Sequence, residues 1–263
     1  MRRLPAAAKL NLALVVGPRR PDGKHEVVTV LQRIDLVDRI ALQPAAELRV
    51  EGFGEDTLVR RALERLAAEA GVEPRWAATI TKQIPVAAGL GGGSSDAATA
   101  LRLANDTLAE PLQPARLREL ARGLGADVPF FLEQGPQLAT GDGSLLEPLE
   151  LPQDYTVLLL LPHGVTKEST GAVYDRFDRA AGFEQRLARL LAAIAARDLA
   201  ELPPNDLASS PLAAELRALG AFRADVSGAG PALYGLFRER TGADRAAASL
   251  QRLGRTWIAS PSW

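Results

Sequence analysis

The residues Pro85-Val86-Ala87-Ala88-Gly89-Leu90-Gly91-Gly92-Gly93-Ser94-Ser95 place four glycines and two serines between a strand-like segment and a helix-like one. Glycine reaches φ > 0 and lets backbone N–H groups approach a ligand, serine adds hydroxyl donors, and a helix N-terminus behind such a turn favours negative charge. The chemistry this points to is phosphate binding. The segment is neither of the commonest phosphate motifs, since G-x-x-x-x-G-K-[ST] is absent and Gly89-x-Gly91-x-x-Ser94 lacks the last glycine of the dinucleotide fingerprint. A flexible turn with a serine cap is the plainer alternative. Six Gly or Ser in the seven residues from Gly89 exceed what a cap requires.

Three further segments carry groups able to do chemistry. In residues 9–16, leucines at 10, 12 and 14 alternate with other residues, the period of a strand with one buried face, so Lys9 and Asn11 share the opposite face, toward solvent or toward a site. Turn residues at 17–23 deliver Lys24-His25-Glu26 to a second strand at 27–34, leaving His25 at a loop-to-strand edge, where an ordinary surface histidine is the plain reading. Gly125-Ala126-Asp127 puts one acid in a turn immediately before an apolar strand at 128–132, where an Asx-turn is the plain reading. His163, before Gly164, reads as a loop residue.

The elements that must position these groups follow from periodicity and punctuation. A helix runs from an Asp56 cap through Ala67 to a stop at Gly71; a strand at 76–84 feeds the glycine segment; helices begin at Asp96 and Pro114; and 140–144 is a hairpin turn. After Pro148 and Pro152 the order is a strand at 155–161, helices at 169–177, 184–196 and 211–219, strands at 222–226 and 232–237 around Ser227-Gly228-Ala229-Gly230-Pro231, a helix at 243–253 and a strand at 256–259. That β-α-β-β-α-β order is ferredoxin-like. Two α+β domains meeting near residue 150 are expected, with the glycine segment close to a cleft where small ligands bind.

Composition narrows the partner. At 263 residues with 47% hydrophobic side chains the chain can bury a substantial core, while 31 basic against 32 acidic side chains leave a net charge of -1 and no bulk attraction to nucleic acid or anionic lipid. Without cysteine and with two histidines, neither a disulfide framework nor a transition-metal centre is expected. The N-terminus lacks a signal-peptide core and no apolar run reaches bilayer length, so a cytoplasmic protein with a small-molecule ligand, and no nucleic-acid or membrane partner, is expected.

The order P-x-A-A-G-L-G-G-G-S-S resembles the ATP-binding signature of the GHMP kinases, which phosphorylate small alcohols such as galactose, homoserine, mevalonate and phosphomevalonate. Pro5-Ala6-Ala7-Ala8-Lys9-Leu10-Asn11-Leu12, Arg20-Pro21-Asp22-Gly23-Lys24-His25-Glu26, Gly125-Ala126-Asp127-Val128-Pro129-Phe130-Phe131, Asn205-Asp206-Leu207 and Ser227-Gly228-Ala229-Gly230-Pro231 are similar to blocks of one branch, the 4-diphosphocytidyl-2-C-methyl-D-erythritol kinases of the non-mevalonate isoprenoid pathway. The resemblance implies a ribosomal-S5-like domain over 1–150, a ferredoxin-like domain over 151–263, ATP with Mg²⁺, transfer of the γ-phosphate to the substrate's 2-hydroxyl, and a monomer or weak dimer. It implies Asp127 as general base with Lys9 beside it, residues 85–95 around the ATP phosphates, and Asn11, His25 and Tyr174 on the substrate side. His25 would hydrogen-bond the cytosine and Tyr174 would stack on it. Lys24 stands where many relatives carry tyrosine, and no dedicated metal-ligand carboxylate is evident. Another GHMP kinase would keep the glycine segment without the His25 and Asp127 blocks; an RNA-binding protein on an S5-like domain conflicts with the balanced charge.

Overall fold

Two strands much longer than their alternation predicts open the chain: β1 over Arg2–Arg19 and β2 over His25–Pro44. The alternation misleads because residues 8–17 are buried on both faces, so the polar Lys9 and Asn11 do not mark a solvent side. β1 pairs with β2 across a turn closed by Arg20 N–H to Lys24 O, 2.7 Å, with Gly23 at φ 82°. The computed structural model describes residues 1–54, 57–165, 170–177 and 181–262; the expected cap Asp56 and helix start at 169 lie outside the described residues. Further along come β3 (Arg49–Glu51), α1 (Thr57–Ala70), β4 (Trp76–Thr81), α2 (Gly92–Asn105), α3 (Pro114–Arg122), a 3-10 turn (Pro129–Leu132), β5 (Gln137–Thr140) and β6 (Leu145–Pro148). The remainder is β7 (Thr156–Pro162), α4 (Thr170–Asp175), α5 (Phe183–Ala195), α6 (Leu212–Ala218), β8 (Arg223–Val226), β9 (Leu233–Phe237), α7 (Arg240–Leu250), β10 (Gly254–Ala259) and β11 (Pro261–Ser262).

These elements gather into two compact units that interleave along the sequence. The first unit comprises Met1–Ala8, Leu36–Val86 and Gly91–Gln134. In it β4 runs antiparallel to the second half of β2 and parallel to β3. α1 buries Val59, Ala62, Leu63, Leu66 and Ala67, the spacing of one helix face, and packs on α2, whose Ala97, Ala98, Ala100 and Ala104 are small enough to allow close approach. β4 stops at Thr81, short of the expected residue 84, because Asp38 Oδ1 takes the N–H groups of Gln83 (2.5 Å) and Ile84 (2.8 Å). The apolar strand expected at 128–132 is instead the 3-10 turn: Pro129 has no N–H for a ladder and fixes a helical φ, and Phe131 N–H bonds Val128 O at 3.2 Å.

The second unit comprises Lys9–Asp35, Ala87–Leu90 and Gly135–Trp263. β5 and β6 form the expected hairpin, with Gly141 and Gly143 at positive φ in its turn, and β5 and β11 both pair antiparallel with the first half of β2. A second sheet has the order β10-β7-β9-β8 with every pair antiparallel, the ferredoxin-like arrangement. Leu158, Leu160, Val226, Leu233 and Phe237 of that sheet pack on Leu216 of α6 and Leu250 of α7.

Beneath this sheet a buried guanidinium ties the second unit together. Arg223 donates to the carbonyls of Leu202 (2.5 Å) and Pro203 (2.9 Å) and to Tyr234 Oη (3.2 Å), and Tyr234 in turn donates to Leu12 O of β1 at 2.9 Å. Burial pushes the Tyr234 hydroxyl up to about 12, so it stays a donor at neutral pH. Tyr234→Phe strands the Leu12 carbonyl and one Arg223 N–H, and a loss of about 1–3 kcal/mol in urea unfolding is expected; an unchanged midpoint would show that the hydroxyl links nothing.

Candidate active site

In the first unit, the approach to the glycine segment is fixed by a buried ion-pair cluster. Lys82 Nζ bonds Asp38 and, at 2.7 Å, Asp96, and both carboxylates are fully buried. Burial opposes charge on Lys82, but the hydrogen bonds and charges of the two aspartates outweigh it and hold its pKa above the ordinary lysine value. Pro85 and Val86 continue the chain from this anchor, with Val86 exposed. α2 begins at Gly92, four residues earlier than its apolar pattern predicts, with Gly91 in the left-handed region at φ 70°. Ser95 N–H makes a helical bond to Gly91 O at 2.9 Å, so the N–H groups of Gly92, Gly93 and Ser94 precede the intrahelical ladder. Ser94 is half-buried and Ser95 buried in this first turn. The two helix-start glycines differ: a Cβ on Gly92 would press on Ile84 and Lys82 at 3.2 Å, whereas one on Gly93 would meet nothing within 4 Å. Asp127 belongs to the same unit, half-buried in a turn closed by Val128 N–H to Gly125 O at 3.1 Å.

In the second unit, residues 87–90 are laced to β1 and to the turn between β8 and β9. Lys9 N–H bonds Leu90 O (2.9 Å), Ala232 N–H bonds Ala88 O (3.1 Å), and Ser227 Oγ donates to Gly89 O (3.1 Å). Ala87 adopts φ 56°, a left-handed conformation uncommon for alanine and of the kind that marks functional loops. Lys9, only 4% exposed, donates to Asn11 Oδ1 at 2.6 Å, while Asn11 Nδ2 donates to Thr29 Oγ1 at 2.9 Å. Asn11 thereby orients the ammonium and retains one N–H and one lone pair. Gly228, at φ 58°, lies against this pair: a Cβ there would be 2.9 Å from Asn11 Oδ1 and 3.6 Å from Lys9 Nζ.

His25 is not the surface residue that its loop-to-strand position suggests. It is buried, its Nδ1 donates to Gly17 O at 2.9 Å, and its ring lies near Tyr174 (stacked, centroids 6.2 Å) and Phe177 (edge-on, 5.6 Å). Nε2 is buried without a hydrogen-bond partner. Lys24 instead turns to Asp142, with Nζ 2.7 Å from Oδ2. Burial alone would raise Asp142, but the bonds from Lys24 and Ser144 prevail and hold its carboxyl at about 2. The structure therefore brings together Lys9, Asn11 and residues 88–90, and separately His25 with Tyr174. Thr29, Asn205, Ser227, Gly228 and Gly230 support the first group; the last four lie in the motif blocks at 205–207 and 227–231, which had no role assigned from sequence, and no local signal marks Thr29.

Residues 57–135 match the family model for the GHMP kinases N terminal domain, and residues 179–256 match that for the GHMP kinases C terminal region. Fold and motifs thus define a GHMP kinase, an ATP-dependent phosphotransferase. Among the relatives, a 4-diphosphocytidyl-2-C-methyl-D-erythritol kinase of Pelotomaculum thermopropionicum is 40% identical, covering 94% of this chain and 93% of the relative. The enzyme of the same name from Geobacter sulfurreducens is 37% identical over 98% and 96%. A crystal structure of 4-(cytidine 5'-diphospho)-2C-methyl-D-erythritol kinase superposes over both whole chains with TM-score 0.83 at 32% identity. The chain belongs to the family of 4-diphosphocytidyl-2-C-methyl-D-erythritol kinases. A mevalonate kinase structure, TM-score 0.77 at 13% identity, shares the fold. Among the described residues no helix is long and apolar enough to cross a membrane, and no group of three or more His, Cys, Asp or Glu side chains could hold a metal ion.

The contrast between the two helix-start glycines gives a direct test of whether the glycine segment cradles phosphate. Gly93→Val adds bulk only above the helix start, so ATP affinity measured by calorimetry should fall by about tenfold or more while the urea midpoint stays near wild type. Gly92→Val should lose stability as well, because its side chain meets the Lys82 cluster. A folded Gly93→Val protein that binds ATP normally would make the segment a structural turn.

Proposed function

We propose that this chain transfers the γ-phosphate of ATP to the 2-hydroxyl of 4-diphosphocytidyl-2-C-methyl-D-erythritol, a step in isoprenoid precursor synthesis. The observation that carries the substrate assignment is His25: a backbone carbonyl can only accept, so Nδ1 holds the proton, and in the neutral ring the buried Nε2 is left to accept from a ligand. The exocyclic N4 amine of cytosine is such a donor, whereas uracil presents an acceptor at that place. Tyr174, ring-stacked beside His25, supplies an aromatic face for the base. Residue 24, next to His25, is a lysine whose ammonium is engaged with Asp142, so it supplies no second aromatic face.

Transfer to an alcohol needs a proton acceptor at the hydroxyl and positive charge or N–H donors around the phosphates. Asp127 takes the hydroxyl proton. Lys9, aimed by Asn11, supplies fixed positive charge, and Asn11 keeps hydrogen-bonding capacity toward the substrate. Residues 85–95 hold the ATP phosphates, through the N–H groups of Gly92, Gly93 and Ser94 and the hydroxyls of Ser94 and Ser95. Mg²⁺ would arrive with the nucleotide and supply charge neutralisation at the phosphates beside the glycine segment. The same reading takes 1–150 and 151–263 as the family's two domains, supported by matches that fall on either side of residue 150, and places the enzyme in the cytoplasm as a monomer or weak dimer without nucleic-acid or membrane partners.

ADP release against a panel of the cytidyl alcohol, homoserine, mevalonate and galactose should be confined to the first; turnover of another alcohol instead would replace the substrate assignment. Asp127→Asn should lower kcat by roughly 10²- to 10⁴-fold with ATP binding retained, and near wild-type turnover would remove Asp127 from the base role. Tyr174→Ala should cost about 1–3 kcal/mol of cytidyl-alcohol affinity while ATP affinity holds, and Tyr174→Phe should be mild. Loss of ATP affinity in place of alcohol affinity would move the tyrosine to the nucleotide side.

A further inference from the structure

Val16, near the end of β1, has both backbone polar groups held by side chains of another part of the second unit. Its N–H donates to Asp206 Oδ2 at 2.9 Å, and its carbonyl accepts from Arg186 Nη2 at 3.2 Å. The two side chains are paired with each other, Arg186 Nε to Asp206 Oδ2 at 2.9 Å, and each is further anchored: Arg186 Nη1 donates to Ala181 O at 2.9 Å and Asp206 N–H to Leu14 O at 2.9 Å. The Asp206 side chain is only 7% exposed, so this is a pair largely withdrawn from solvent rather than a surface ion pair. The next residue, Gly17, carries the carbonyl that receives His25 Nδ1. Gly17 is also pressed by Phe183 from the first turn of α5, since a Cβ there would lie 2.9 Å from the Phe183 ring. One helix start and one short segment thus clamp the two residues that decide where the Gly17 carbonyl points.

We propose that Arg186 and Asp206 are positioning residues for substrate recognition: by holding the Val16 peptide they aim the Gly17 carbonyl at His25 Nδ1 and keep Nε2 as a hydrogen-bond acceptor toward the base. The physical step is the tautomer. A neutral imidazole has one donor and one acceptor nitrogen, and the bond made by one ring nitrogen decides what the other can do. With the clamp intact, Nε2 accepts from an exocyclic amine. With the guanidinium removed, the Val16 carbonyl loses its donor, the Val16–Gly17 peptide can tilt, and the proton is free to move to Nε2. There it meets an amine as donor against donor but suits a keto oxygen. The clamp therefore acts on discrimination between amino and keto pyrimidines, through His25 and without touching substrate. This inference rests on the reading that His25 receives the base.

The test uses Arg186→Met, which keeps most of the aliphatic stem, and Asp206→Asn, which keeps an oxygen for Val16 N–H. With two histidines in the chain, ¹⁵N imidazole spectra resolve His25 with exposed His163 as internal reference. Arg186→Met should convert His25 from the Nδ1-protonated form to a tautomer mixture, raise KM for the cytidyl alcohol about tenfold, leave kcat and KM for ATP unchanged, and narrow the preference over a uridyl analogue. Asp206→Asn should show the same changes in milder form, and it carries the test alone if Arg186→Met does not fold. A folded variant with the wild-type tautomer and wild-type KM, or one in which both KM values rise together, overturns the proposal. His25→Ala separates the two readings: if it leaves KM for the cytidyl alcohol unchanged, the base assignment fails, whereas if it raises KM and Arg186→Met does not, the clamp alone fails.

Discussion

The second unit depends on a backbone crossing that only glycine permits. A Cβ on Gly230 would lie 2.2 Å from Ala88 O, and one on Gly89 would lie 2.3 Å from Ser227 O, distances at which no side chain can be accommodated without moving backbone. Because the two segments touch main chain to main chain, their polar groups pair directly: Ala232 N–H with Ala88 O, Ser227 Oγ with Gly89 O, and Lys9 N–H with Leu90 O. The glycine-rich segment is therefore held at residues 88–90 by the β8–β9 turn and by β1. Asn205 completes the hold by donating to Gly228 O at 2.7 Å and Val226 O at 3.0 Å.

Buried polar groups do the positioning in both units, and each is placed by a partner of the right kind. In the first unit Asp38 spends one oxygen on the backbone beyond β4 and the other on Lys82, so a single carboxylate ends the strand and anchors the cation next to the start of α2. In the second unit Asn11 bridges Lys9 and Thr29, and Arg223 collects carbonyls that no strand satisfies. Burying such groups unpaired would be costly, which is why each has a hydrogen-bonded partner. Residues that share a network are expected to respond together to substitution rather than additively.

Lys24 shows how a substitution in a motif is absorbed. The Lys24 ammonium closes onto Asp142 in the β5–β6 turn and ties that turn to the start of β2. Exposure of Lys24 keeps this pair modest in energy. Its consequence is geometric: aromatic contact with His25 comes from Tyr174 and Phe177.

The sequence by itself determined the motif inventory and much of the element order. Glycine and serine density at 89–95, proline at the start of α3, the turn at 140–144 and the β-α-β-β-α-β order from residue 155 onward are local signals, set by φ preferences and by periodicity, and they survive into the structure. The failures are equally physical. Alternation in β1 leaves the face of Lys9 and Asn11 open between solvent and a site; the strand is covered on both sides, so they are interior groups. The stretch 128–132 looked like a strand by hydrophobicity until Pro129 and its 3-10 bonds overrode the pattern. β4 ended early because of Asp38, 45 residues away from Gln83 in the chain. His25 looked like an edge residue because nothing local says that Gly17, Tyr174 and Phe177 close around it. Local sequence fixes dihedral preferences and period; burial, tautomer and partner choice depend on segments far apart in the chain, and only the tertiary structure decides which of them meet.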